Sequence, residues 1–193
     1  MIENSPSPSP STSRERLLAQ LRLNPPSGQD LLPLITALEQ EQPADLDRDG
    51  ALLEGVWELR WSSSRLPYLS QAPWLENLQV LAPSQGRAMN LLRLAGLPQE
   101  LGGVAVQARI ALEGRQRVCV RFERGGWWGP RWGGGRLQWL AQLRQGFPAW
   151  LDITVLDPQL RVCRGNAGTV FALLRRDDLA VESFLPPARL PEI

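Results

Sequence analysis

Two carboxylates in strand-like surroundings, Asp152 and Asp157, a run of hydroxyls at Ser62, Ser63 and Ser64, and two thiols, Cys119 and Cys163, are the groups here whose type and spacing could do chemistry. Paired carboxylates can divide acid and base work between them. A hydroxyl or thiol nucleophile needs an adjacent base. The chain has no His, and all 21 of its basic residues are Arg. Triads built on His are therefore excluded, as are their Ser–Lys variants. Two cysteines are too few for a zinc site, and their spacing defines no disulfide framework. They read as free thiols buried in strands in a reducing compartment. Residues 164–168, Arg-Gly-Asn-Ala-Gly, lack the Lys and the following helix of a phosphate loop, and no dinucleotide fingerprint is present. Asp152 and Asp157 bracket a predicted hairpin, where turn capping or an ion pair with Arg161 or Arg164 competes with any catalytic role. The usual equipment of an enzyme is missing, and no cofactor or metal is expected.

The elements that must position these groups change character partway along the chain. Of the 193 residues, 43% are hydrophobic and the net charge is +1, as in an ordinary globule with no bias toward nucleic acid. Residues 1–13, with Ser and Pro alternating, are expected to form a disordered tail. Residues 14–50 read as a helical segment: one helix over 14–23, a Pro-Pro-Ser-Gly break, then a second helix over 29–42. In the second, Leu31, Leu34, Ile35 and Leu38 share a face and Pro33 falls in the first turn. A polar linker follows at 45–50. Beyond Gly50 the period shortens to 2, with alternating runs at 56–61, 104–113, 117–123, 152–156, 160–164 and 169–175. Short strands between Gly and Pro turns predict a mainly β domain over 51–178, either a sandwich or a closed barrel, with a C-terminal extension at 179–193. The stretch 125–135, rich in Gly and Trp, reads as a long loop. No apolar run approaches the ~20 residues of a membrane span, and no secretory signal opens the chain. A soluble or peripheral intracellular protein is expected.

The segment 150–175, WLDITVLDPQLRVCRGNAGTVFALLR, closely resembles the C-terminal signature of the plastid lipid-associated protein (PAP)/fibrillin family. The matching positions are Asp152, Leu156, Asp157, Arg161, Arg164, Gly165 and Gly168. Gly55 and Trp57, in Leu-Glu-Gly-Val-Trp-Glu-Leu, resemble the family's front end, and the blocks keep their order over about residues 14–176. Residues 67–103 match loosely, and 125–139 look peculiar to this chain. The resemblance implies a lipocalin-like antiparallel β-barrel preceded by two short helices. It also implies association with thylakoids or lipid globules and binding of lipids, quinones or carotenoids. The absence of a transit peptide fits a cyanobacterial-type member.

In a lipocalin-like barrel a Gly-x-Trp Trp closes the floor under an Arg, and Trp57 with Arg164 or Arg175 is the candidate cation–π pair. If Trp57 points inward, alternation brings Leu59 and Trp61 with it. Val118, Val120 and Phe122, then Leu160, Val162 and Arg164, form a second inward set, joined by Phe171 and Leu173. These side chains either line a ligand cavity or fill the core. Arg164, sharing a face with apolar residues, would need Asp152, Asp157 or a ligand oxyanion as its partner. Trp127, Trp128 and Trp132, with Arg124 and Arg131 beside them, suit a membrane-surface anchor, a folded-back loop or a protein-docking surface. Three functions are then open: a carrier of lipid or isoprenoid compounds, an adaptor with a filled barrel, or a bilin-handling enzyme. An open apolar cavity favours the first.

Overall fold

Thr12 opens the ordered chain as the cap of helix α1 (Ser13–Arg22): its hydroxyl accepts from the Glu15 N–H while the Glu15 carboxylate accepts from the Thr12 N–H. The structure, a computed structural model, describes residues 12–23, 30–64, 74–96, 102–133 and 135–186. Of the expected tail over 1–13, residues 1–11 lie outside these, as does the break at 24–28, while Thr12 and Ser13 are the cap and first residue of α1. Helix α2 (Leu32–Glu41) carries Pro33 in its first turn, and Leu31, Ile35 and Leu38 are buried. The expected linker instead holds a short helix α3 (Leu46–Asp49), capped by the Asp45 carboxylate, and a 3-10 turn Gly50–Leu53.

Nine strands follow: β1 (Gly55–Ser62), β2 (Leu75–Ala82), β3 (Arg87–Leu94), β4 (Gly103–Glu113), β5 (Arg117–Trp132), β6 (Gly135–Gln142), β7 (Ala149–Leu156), β8 (Leu160–Gly165) and β9 (Val170–Arg175). All pairings are antiparallel, in the order β4-β3-β2-β1-β9-β8-β7-β5-β6, and β4 also pairs with β5. That last pairing closes a ring of all strands but β6, so the fold is a barrel and not a sandwich. Strand β5 is the hinge of the design. Its first half, Arg117 to Val120, pairs with β7, and its second half, Arg124 to Trp132, pairs with β6 in a hairpin beyond the ring. Between the halves the Gln145 side chain substitutes for a strand, donating to the Val120 carbonyl and accepting from the Phe122 N–H.

Apolar side chains gather in three layers. The interior holds Trp57, Leu59, Ala88, Ile110, Val118, Ile153, Cys163 and Leu173. Outside the wall, α1 and α2 cover Trp61, Val155, Leu160, Val162, Val170 and Ala172. A second outer layer joins Leu78, Val80, Met89, Leu91 and Trp128 to Leu179, Val181, Phe184 and Leu185 of the C-terminal segment. A barrel clad on both sides is apolar on both faces of many strands, which weakens alternation as a guide to the inside.

Within the glycine-rich stretch, residues 125–132 are therefore strand, correcting the expected loop. Gly126 and Gly129 mark close approaches there. A Cβ on Gly129 would run into the Trp127 ring, and one on Gly126 into the Trp139 carbonyl oxygen.

Candidate functional site

A cavity of about 390 Å³ occupies the barrel interior. Its wall includes Val106, Ile110, Val118, Val120, Phe122 and Phe171, interrupted by the polar side chains of Gln79, Asn90 and Arg161. Phe147, Asn166 and Thr169 stand where β6 leads to β7 and β8 to β9, so the cavity reaches the end opposite the N-terminal cap. That volume lies within the range of small-molecule sites, roughly 300–1,000 Å³.

Trp57 closes the other end. It is fully buried, its indole N–H donates to the Leu53 carbonyl at 3.0 Å, and Ala44, Leu46 and Leu53 pack with it. Arg175 lies with its guanidinium carbon 5.3 Å from the Trp57 ring centre and donates to the carbonyls of Leu52 and Glu54. One of the two proposed cation–π partners is thus in place. The second is Arg161, at 5.2 Å, and not Arg164.

Register explains why. Four bulges shift the alternation: at Arg60 in β1, at Glu123 and at Gly129–Pro130 in β5, and at Thr154 in β7. Each extra residue turns the following side chains to the other face. The bulge at Arg60 leaves Trp57 and Leu59 inside but places Trp61 against the helices, correcting its inward assignment. Arg60 itself donates to the Leu21 and Leu23 carbonyls, satisfying the C-terminal end of α1. In β8 the expected faces are exchanged. Leu160 and Val162 pack under α1 and α2, while Arg161 and Cys163 point inward, opposite Leu156 and Ile153 of β7. Alternation found the apolar face of β8, but that face looks to the helices.

Arg164 accordingly lies outside, paired with Glu39 of α2 at 2.8 and 2.6 Å. Asp152 and Asp157 are not its partners. Asp152 takes Arg117, and Asp157 takes Arg14 while accepting the Gln159 and Leu160 N–H groups of its turn. Burial pushes the Asp157 carboxyl up, but the hydrogen bonds from Arg14 and the turn outweigh it and hold the group below its ordinary range. Glu39 behaves alike: burial raises it, hydrogen bonds from Arg164 and Thr154 lower it, and the lowering prevails. Both carboxylates fasten helices to the wall and stand apart from the cavity.

Gly55, in the left-handed region at φ 152°, has the Arg175 guanidinium 2.8 Å from where a Cβ would be, so a side chain there would displace the floor. Gly165 lines the cavity rim, and Gly168, at φ 77°, makes the β8–β9 turn. Cys163 is buried and its thiol is pushed up by that burial; Cys119 is half-buried, and both are free. Among the described residues no cluster of His, Cys, Asp and Glu could hold a metal, and no helix is long and apolar enough to cross a membrane.

The β5–β6 hairpin stands at the open end. Trp128 is 2% exposed, stacked on Phe184 at 5.4 Å with Arg136 3.5 Å above its ring, so it belongs to the outer core and not to an exposed anchor. Trp127 is half exposed and Trp132 is 79% exposed. The backbone of Arg131 pairs with that of Arg136. Trp127 lies opposite Trp139 across the hairpin and Val104 across β4. Alternation along β6 adds Leu137, and Leu143 follows just past the strand's end; both are exposed, with Trp139 at 82%. This apolar row continues the face that lines the cavity. The two signals available for it were the alternation of Leu137, Trp139, Ala141 and Leu143 and the Trp content of the stretch.

Residues 20–131, more than half of the chain, match the PAP_fibrillin family model. The match takes in the loosely similar 67–103 region and ends before 150–175, where the resemblance read from the sequence was densest. No significant match is found among curated proteins or among solved structures.

Proposed function

The chain belongs to the PAP/fibrillin family, whose members are generally non-catalytic structural or lipid-associated proteins, and from that premise we propose that it is a carrier for one apolar small molecule. The observation that carries this reading is the cavity of about 390 Å³, walled mainly by aliphatic and aromatic side chains. Val120, Phe122 and Phe171 contact the cargo; Trp57 and Leu59 close the space beneath it. Arg161 is the only titratable side chain lining the cavity among the described residues, and it stands beside the amides of Gln79 and Asn90.

The hairpin serves the same purpose. Trp127, Trp132 and Trp139, with Leu137, Leu143 and Phe147, meet a lipid surface, and Arg124 and Arg144 at its base meet anionic headgroups. Cargo then passes between the surface and the cavity without crossing bulk water. Thylakoids or lipid globules are the membranes this reading names. Native mass spectrometry with lipid extraction, on protein purified from a photosynthetic host, is the test. Stoichiometric recovery of a lipid, quinone or carotenoid is expected. A protein that stays empty after incubation with thylakoid lipids and pigments would overturn the carrier reading and leave the adaptor.

A further inference from the structure

The inner end of the cavity holds a charge without a counter-ion. Arg161 is 1% exposed, its Nη2 donates to the Gln79 side-chain oxygen, and its Nε is buried with no hydrogen-bond partner. No carboxylate among the described residues forms an ion pair with it: Asp152 and Asp157 are taken by Arg117 and Arg14, and Glu58 and Glu76 by Arg176. A guanidinium cannot shed its proton to escape this situation. The indole of Trp57 compensates the charge in part, and a buried charge of this kind demands a stronger partner.

Building on the carrier reading, we propose that the cargo is an amphiphile with a single carboxylate head, seated head-inward on Arg161, with its chain running toward the mouth. Gln79 accepts from Arg161, which leaves its amide N–H groups to donate alongside those of Asn90 on the neighbouring strand. One fixed positive charge and two amides suit a monoanion; a dianionic phosphate would leave a buried charge uncompensated. Beyond the head the wall is apolar at Val106, Ile110, Val118, Val120 and Phe122. At about 30 Å³ for each water-sized group, the cavity of about 390 Å³ encloses a chain the length of decanoate. Longer chains leave through the mouth beside Phe147 and meet the apolar hairpin.

Titration calorimetry at pH 8 with decanoate, decan-1-ol and decyl phosphate decides the matter. Decanoate is expected to bind about 10- to 100-fold tighter than the alcohol, the range of a charge-assisted hydrogen bond, and tighter than the phosphate. In Arg161→Met the acid should fall to the affinity of the alcohol, which itself should change little. Equal binding of acid and alcohol by the wild-type protein overturns the head-inward assignment while the carrier reading stands. Tighter binding of decyl phosphate overturns the carboxylate assignment. If none of the three binds, the carrier reading falls and this inference falls with it. The wild-type comparison needs no variant, so poor folding of Arg161→Met cannot shelter the proposal.

Discussion

The two ends of this barrel are built on opposite principles. At the closed end the floor beneath Arg161 is satisfied and sealed: the Trp57 indole reaches a carbonyl, Arg175 satisfies two more, and Leu46 and Leu53 pack against the ring. At the open end large indoles stand in solvent on a hairpin whose second strand, β6, lies outside the ring. A folded chain tolerates such exposure where the residues serve a contact and not the core. The contrast runs inside a single strand. The first half of β5 is barrel wall with Val118 and Val120 inward; past the bulge at Glu123 the same strand becomes the scaffold for Trp127 and Trp132. Buried packing and exposed apolar surface are thereby separated along the barrel axis, and substitutions at the two ends should behave differently.

The largest effect is expected at the floor. Trp57→Ala should lower the unfolding free energy by about 3–5 kcal/mol, as for other fully buried aromatics, measured by denaturant unfolding; a loss below ~1 kcal/mol would remove the floor from its central place. Arg175→Met should cost about 1.5–3 kcal/mol, because it strips two carbonyls of a charged donor, and the same titration reads it. The helix layer responds to acid. Glu39 and Asp157 have carboxyls held below their unfolded values, so their contribution is full above the unfolded pKa near ~4 and is lost as pH falls through the depressed folded values. Melting temperature should therefore drop on the acid side, and the double variant Glu39→Gln with Asp157→Asn should flatten that drop. An unchanged acid profile would mean the helices are held by their apolar face alone.

At the mouth the stability change should be smallest. Trp139→Ala and Trp132→Ala should alter the unfolding free energy by less than ~0.5 kcal/mol while reducing co-sedimentation with anionic vesicles. A stability loss comparable to that of Trp57→Ala would erase the distinction between the two ends.

Much of the architecture was legible in the sequence. The change from helical to strand period after Gly50, the Gly-x-Trp floor and the Asp157 turn all stand in the structure. Strands β2, β3 and β6 went unread. Stretches such as Leu78-Gln79-Val80 do alternate, but their apolar side faces the C-terminal segment outside the ring, and the inward residues Gln79 and Asn90 are polar. The same inversion misled the reading of β8. Periodicity reports that one face differs from the other; it does not report which face is inside when helices clad the wall. Bulges are harder still, since nothing in Leu59-Arg60-Trp61 signals that Arg60 turns aside to meet the end of α1. Arg161, read as a signature residue and a turn partner, emerged as the charge in the cavity only once register was fixed by the β7–β8 and β8–β9 pairs.

The pairing of β1 with β9 has a consequence for how the chain is made. The first strand to leave the ribosome waits for the last before the ring can close, and α1 and α2 wait for the surface of β7 to β9 that they cover. Synthesis at roughly 5–20 residues per second leaves an apolar nascent chain uncovered for many seconds. The family-matched span 20–131 contains β1 but neither β8 nor β9, so a stalled or truncated product of that length would be a client for chaperones or proteases and not a smaller working protein.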